Sequence, residues 1–123
     1  MKKALIIVAH GSRLEPANSE VLAFVNNLKT KLSGYSEITC AFMEFTKPDL
    51  KNAIGRLAED ETKEIVIFPY FLSEGSHLQG IKKSISESEK IYKNIRFSVT
   101  AYMGALPNLG DFISDYIAST SCC

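Results

Sequence analysis

Four short apolar runs, each rich in β-branched or aromatic residues, alternate with segments whose apolar residues recur at helical spacing, and this alternation constrains the fold more than any other feature. The runs cover residues 4–9, 38–43, 65–71 and 95–101. Val21, Leu22, Val25, Leu28 and Leu32 form the first helical stripe, with Pro16 near its start and Gly34 just past its end. A second helix is expected to open at Thr46-Lys47-Pro48-Asp49 and to present Leu50, Ile54 and Leu57. A third carries Leu78, Ile81 and Ile85, and the last, after Pro107, carries Leu109, Phe112, Ile113, Tyr116 and Ile117. The order βαβαβαβα predicts an α/β three-layer sandwich around a four-stranded parallel sheet. Because the first and third runs are almost continuously apolar, both are expected to be strands covered by helices on both faces.

A chain of 123 residues can bury a continuous core as a single domain, expected over residues 1–119 with 120–123 as a C-terminal tail. Lys plus Arg and Asp plus Glu both number 14, so no global field favours nucleic acid or an acidic membrane surface. No apolar run approaches the roughly 20 residues that span a bilayer. The start Met1-Lys2-Lys3 superficially resembles a signal peptide, yet the following apolar run is short and lacks a small-residue cleavage pattern, so a cytoplasmic protein is expected. Cys40, Cys122 and Cys123 form neither a disulfide framework nor a spaced zinc pattern. Cys40 reads as a core residue and the terminal pair as a frayed tail.

The chain has 2 histidines, and they occupy matching places. His10 closes the first run and is followed by Gly11, Ser12 and Arg13; His77 comes after the third run, behind Ser73-Glu74-Gly75-Ser76. Folds of this type commonly order their strands 2-1-3-4, which opens a crevice at the carboxyl ends of strands one and three and makes the two histidines neighbours. Gly11 lets the backbone turn sharply beside the imidazole. Gly75 and Ser76 are expected to begin the third helix, placing His77 in its first turn, where the positive end of the helix favours a neutral ring with a free lone pair. Glu44, after the second run, adds a carboxylate if it faces the crevice. Two imidazoles and one carboxylate suit Co²⁺, Fe²⁺, Ni²⁺ or Zn²⁺ better than Mg²⁺.

The segments Ile6-Ile7-Val8-Ala9-His10-Gly11-Ser12-Arg13, Ala41-Phe42-Met43-Glu44 with Pro48 following, Pro69-Tyr70-Phe71-Leu72-Ser73-Glu74-Gly75-Ser76-His77 and Met103-Gly104-Ala105-Leu106-Pro107 resemble the signature segments of the small CbiX-type sirohydrochlorin chelatases. They touch every βα unit in order. The resemblance implies a class II chelatase half-domain that inserts a divalent metal, Co²⁺ before Fe²⁺ or Ni²⁺, into sirohydrochlorin for cobalamin, siroheme or a related tetrapyrrole. The metal is then a substrate, and no permanently bound cofactor is expected. The resemblance assigns metal handling to His10 and His77, with Glu44 as the accompanying acid or base. Gly11, Ser12, Arg13, Gly75 and Ser76 become substrate-binding candidates, and a homodimer is implied because the short members are similar to one half of two-lobed relatives. This sequence departs from the family pattern at Ile81, where an aspartate is common, and at Leu106, where a histidine is common. The alternative is a metal or tetrapyrrole carrier on the same scaffold that does not catalyse insertion. A histidine phosphatase lacks its required arginine here, since Ala9 stands in that place, and a receiver domain lacks its acidic cluster after the first run.

Overall fold

The computed structural model describes residues 2–120; Cys122 and Cys123 lie outside the described residues. The elements run β1 (Lys3–Ala9), α1 (Glu15–Lys29), β2 (Glu37–Phe42), α2 (Leu50–Glu59), β3 (Glu64–Pro69), α3 (Ser76–Ile91), β4 (Arg96–Val99), a 3-10 turn (Met103–Ala105) and α4 (Leu109–Ser119). All four strands are parallel and lie in the order β2-β1-β3-β4, as the alternation predicts. The βαβαβαβα α/β fold is therefore the one expected.

The side-chain alternation of β1 explains why it sits inside the sheet. Ala4, Ile6 and Val8 point to one face, where they pack with Leu50, Ile54 and Leu57 of α2 and Leu78, Ile81 and Ile85 of α3. Leu5, Ile7 and Ala9 point to the other face, against Val25 and its α1 neighbours Val21, Phe24 and Leu28. A run with both faces covered has no polar alternation, which is what residues 4–9 show. Ile6, Ile7, Ile54, Leu57, Ile65, Ile67 and Ile81 are fully buried, each stabilising the fold by about 1.5–3 kcal/mol relative to exposure. The second helix begins where expected, because the Asp49 carboxylate accepts a hydrogen bond from the Asn52 N–H at 2.8 Å and caps it.

The strands stop short of their apolar runs. The strands end at Phe42 and Pro69, and the remaining apolar residues Met43 and Phe71 lie past them while still packing on the core. The first helix likewise ends at Lys29, so Leu32 falls beyond it.

One expectation requires correction. β3 is not covered on both sides: Ile65, Ile67 and Pro69 are buried, but Val66, Phe68 and Tyr70 on the α1 face are only partly so. The missing cover is α4. Its residues Phe112, Ile113, Tyr116 and Ile117 are 44–70% exposed, and none of its side chains joins either core cluster. The sandwich is complete on the α2 and α3 face and half-clad on the other. No helix among the described residues is long and apolar enough to cross a membrane. Cys40 is a buried free thiol facing α1, and burial pushes its pKa up despite the opposing pull of Lys29.

Candidate metal centre

The site lies where β1 and β3 end side by side. The helices that follow them, α1 and α3, lie on opposite faces of the sheet, so the chain diverges and leaves a crevice. His10 follows β1 directly, Glu44 lies just past β2, and His77 is the second residue of α3.

Backbone pairing continues beyond the strands and fixes these positions. The Met43 N–H donates to the Ala9 carbonyl and the Glu44 N–H to the His10 carbonyl, both at 3.0 Å, so the loops after β1 and β2 remain zipped. Gly11 then turns with φ +90 so close to Glu44 that a Cβ there would sit 1.9 Å from the Glu44 carbonyl oxygen. Only glycine fits both the left-handed backbone and that approach. On the opposite side Gly104 plays the same role, its N–H donating to Phe71 at 2.9 Å and an added Cβ meeting the Leu72 carbonyl oxygen at 1.7 Å.

Asn18 secures the first loop from below. It is a buried polar side chain on α1 whose carboxamide oxygen accepts from the Ser12 N–H at 2.9 Å and whose amide donates to the Ser12 carbonyl at 2.8 Å. The Ser12 hydroxyl oxygen accepts from the Leu14 N–H at 3.0 Å. Asn18 thus occupies the Ser12 N–H, which is not free to donate to a ligand.

His10, Glu44 and His77 converge. The imidazole centroids lie 4.0 Å apart with their planes at 63°. Glu44 Oε2 is 3.5 Å from His10 Nε2 and 4.0 Å from His77 Nε2, and one ligand atom from each residue lies within 4.8 Å of the others. His10 and Glu44 are well exposed and His77 is half-buried. Phe71 stands beside both rings, its centroid 6.5 Å from His10 and 6.1 Å from His77, and supplies an apolar wall. A cavity of about 470 Å³ opens in front, lined by both histidines and residues 70–76, Gly75 and Ser76 included. Two imidazoles at the cavity wall with a carboxylate beside them form a donor set whose chemistry suits a divalent transition metal.

Arg13 does not reach this trio. Its guanidinium lies 4.9 Å over the ring of Phe45, which follows Glu44. Phe45 has φ 71 and centres a three-residue turn closed by the Thr46 N–H on the Glu44 carbonyl at 2.9 Å, a conformation that costs on the order of 1–3 kcal/mol for a bulky residue. Ile81, one helical turn beyond His77, is fully buried in the core, so the position where an aspartate is common serves packing here. Leu106 is partly exposed after the 3-10 turn. Sequence reasoning missed Asn18, Phe45 and Phe71. Of these, Asn18 alone carries a signal, since a polar residue stands in register with the Val21 and Val25 stripe.

A doubly wound α/β domain with a His–Glu–His cluster at its switch point is the class that fold and site define. The CbiX family model matches residues 4–120, and the chain belongs to that family. It is 32% identical over 114 residues to the chloroplastic sirohydrochlorin ferrochelatase of Arabidopsis thaliana, covering 92% of this chain and 50% of that protein. A CbiX protein from Marinobacter aquaeolei has the same fold, with a TM-score of 0.82, 19% identity, and coverage of 96% of this chain and 93% of that one. So does the sirohydrochlorin chelatase SirB from Bacillus subtilis subspecies spizizenii in complex with cobalt, at TM-score 0.83 and 23% identity, covering 96% of this chain and 50% of that one. The chain spans about half the length of the curated chelatases it matches first.

Asn18→Ala removes both partners of the Ser12 backbone and is expected to destabilise the fold by about 1–3 kcal/mol. It should also weaken Co²⁺ binding by freeing the loop that carries His10. Urea unfolding and a Co²⁺ titration of the folded variant check this; unchanged values in both contradict the role given to Asn18.

Proposed function

We propose that the chain inserts a divalent metal into a sirohydrochlorin-type tetrapyrrole, with Co²⁺ the first candidate and Fe²⁺ and Ni²⁺ the others. The observation that carries this reading is the convergence of His10, Glu44 and His77, with both histidines lining an open cavity.

Metallation exchanges two pyrrole protons for one cation. The cation must shed part of its water shell, and neutral imidazole and carboxylate groups replace that water without holding the metal beyond release. Nε2 of His10 and of His77 lie 3.5 and 4.0 Å from the same Glu44 oxygen, so one cation can be held among the three groups. As each protein group gives the metal up to a pyrrole nitrogen, its freed lone pair takes the pyrrole proton and passes it to water. Glu44 lies within 4.0 Å of both rings and stabilises either imidazolium as it forms. The crevice opens to solvent, so a macrocycle can lay one face over the cluster, and the N-terminus of α3 at Gly75 and Ser76 favours its carboxylates.

Anaerobic absorbance measurements test the reaction. Sirohydrochlorin with protein and Co²⁺, Fe²⁺ or Ni²⁺ should convert to the metallated spectrum faster than with metal alone. His10→Ala and His77→Ala should each slow conversion by at least about 10²-fold while circular dichroism stays unchanged. Binding without acceleration for all three metals leaves the carrier reading standing, and full turnover in both variants rejects the site.

The reading includes a homodimer, and the exposed face of α4 supports it. A groove between α1 and β3, of about 280 Å³ and lined by Leu5, Ile7, Phe24, Leu28, Val66 and Phe68, lies on the half-clad sheet face. The same chain thus holds an uncovered apolar helix and an uncovered apolar groove, which is the condition for a two-fold, self-complementary interface. Charge agrees: α4 carries Asp111 and Asp115 and no cation, whereas Lys3 and Lys29 stand near the groove, Lys3 5.0 Å over the Tyr35 ring. We assign α4 to the groove of a second copy. Sedimentation equilibrium should give twice the chain mass of 13.6 kDa, and Tyr116→Lys with Ile117→Lys should give the monomer. A wild-type monomer at about 100 μM, including one with α4 folded onto its own groove, contradicts the assignment.

A further inference from the structure

Arg13 and Phe45 form a feature that the metal centre does not use. Phe45 is 55% exposed in the left-handed region, buries nothing in either core cluster, and has the Arg13 guanidinium over its ring. Arg13 in turn has no carboxylate partner among the described residues, although the chain offers many. An exposed aromatic held in a strained backbone is not there to pack a core. It fixes what lies on it.

The geometry follows from the zipped loops. Pairing of Ala9 with Met43 and of His10 with Glu44 carries on past the strands, Gly11 packs on the Glu44 carbonyl, and the Arg13–Phe45 stack closes the far end. The guanidinium is therefore anchored by the same two loops that carry His10 and Glu44. The ring holds the guanidinium over its face through a cation–π contact at 4.9 Å, and no carboxylate among the described residues engages its N–H donors, which are therefore available to a carboxylate ligand. A lysine would offer no such plane.

We propose that Arg13, held over the ring of Phe45, is a clamp for one side-chain carboxylate of the macrocycle and so sets its orientation over the His–Glu–His cluster. Arg13 makes the contact; Phe45 is a positioning residue that acts through it. The inference rests on the tetrapyrrole reading above, and it extends that reading to a specificity element: a polycarboxylate macrocycle is bound in one rotational setting, and a macrocycle lacking the matching carboxylate loses the pair.

The test uses sirohydrochlorin without metal, titrated by absorbance, together with KM and kcat for Co²⁺ insertion. Arg13→Gln and Phe45→Leu should each raise Kd and KM by up to about tenfold with kcat within about twofold, since a charge-assisted pair is lost in binding and not in the proton transfers. The double variant should be no worse than Arg13→Gln alone, and Phe45→Tyr should restore wild-type values because its ring also stacks. Arg13→Gln should also flatten the salt dependence of Kd. Unchanged Kd in both variants, additive losses in the double variant, or a fall in kcat at constant KM overturns the clamp while leaving metal insertion intact. Conversely, a wild type that binds the macrocycle with these variant effects but inserts no metal rejects the chelatase reading and keeps the clamp. A wild type that does not bind the macrocycle rejects both.

Discussion

Burial of β1 on both faces is the constraint from which the rest of the molecule follows. Ala4, Ile6 and Val8 need α2 and α3, while Leu5, Ile7 and Ala9 need α1, so this strand can only lie inside the sheet. With β1 inside, β2 and β3 pair on its two sides, and the chain must leave β1 and β3 toward opposite faces. That divergence makes the crevice. A ligand cluster at this point needs no special loop architecture, because the sheet already delivers the residue after β1 and the first turn of α3 to the same place.

Delivery to the right place is not yet a fixed geometry, and here the backbone matters more than the side chains. Two glycines, one on each flank, let neighbouring loops touch at distances a Cβ would forbid. Asn18 closes both hydrogen-bonding groups of Ser12 from inside α1. The result is that His10 and Glu44, both open to solvent, are nevertheless carried by constrained backbone. Under the proposed reading, exposed donor groups on anchored loops suit a site that accepts a cation and then gives it up, since each bond can be exchanged without moving the chain.

The fold was legible in the sequence because hydrophobic period reports directly on burial: continuous for β1, helical for the stripes. The pairing of His10 with His77 was legible once strand order was assumed, and Glu44 came with it. What the pattern could not report is partner identity. The stripe Phe112, Ile113, Tyr116 and Ile117 says that one side of α4 is apolar, and it reads the same whether that side covers its own sheet or stands clear of it, as it does. The continuous third run misled for the same reason, since Val66 and Phe68 are apolar without being covered by α4. Phe45 was illegible because nothing in a sequence marks a phenylalanine for a left-handed backbone; the geometry comes from the loops around it. Ile81 was read both as part of the third helical stripe and as a departure from the family's aspartate, and its burial in the core bears out the stripe.

The central claim is that His10, Glu44 and His77 act together as one set of metal ligands. X-ray absorption spectroscopy of the Co²⁺-loaded protein, without tetrapyrrole, tests it most directly. The account predicts multiple-scattering features of two imidazole rings with oxygen completing the shell, and of one ring after His77→Ala. A shell of oxygen alone in the wild type, or one that His77→Ala leaves unchanged, would contradict it.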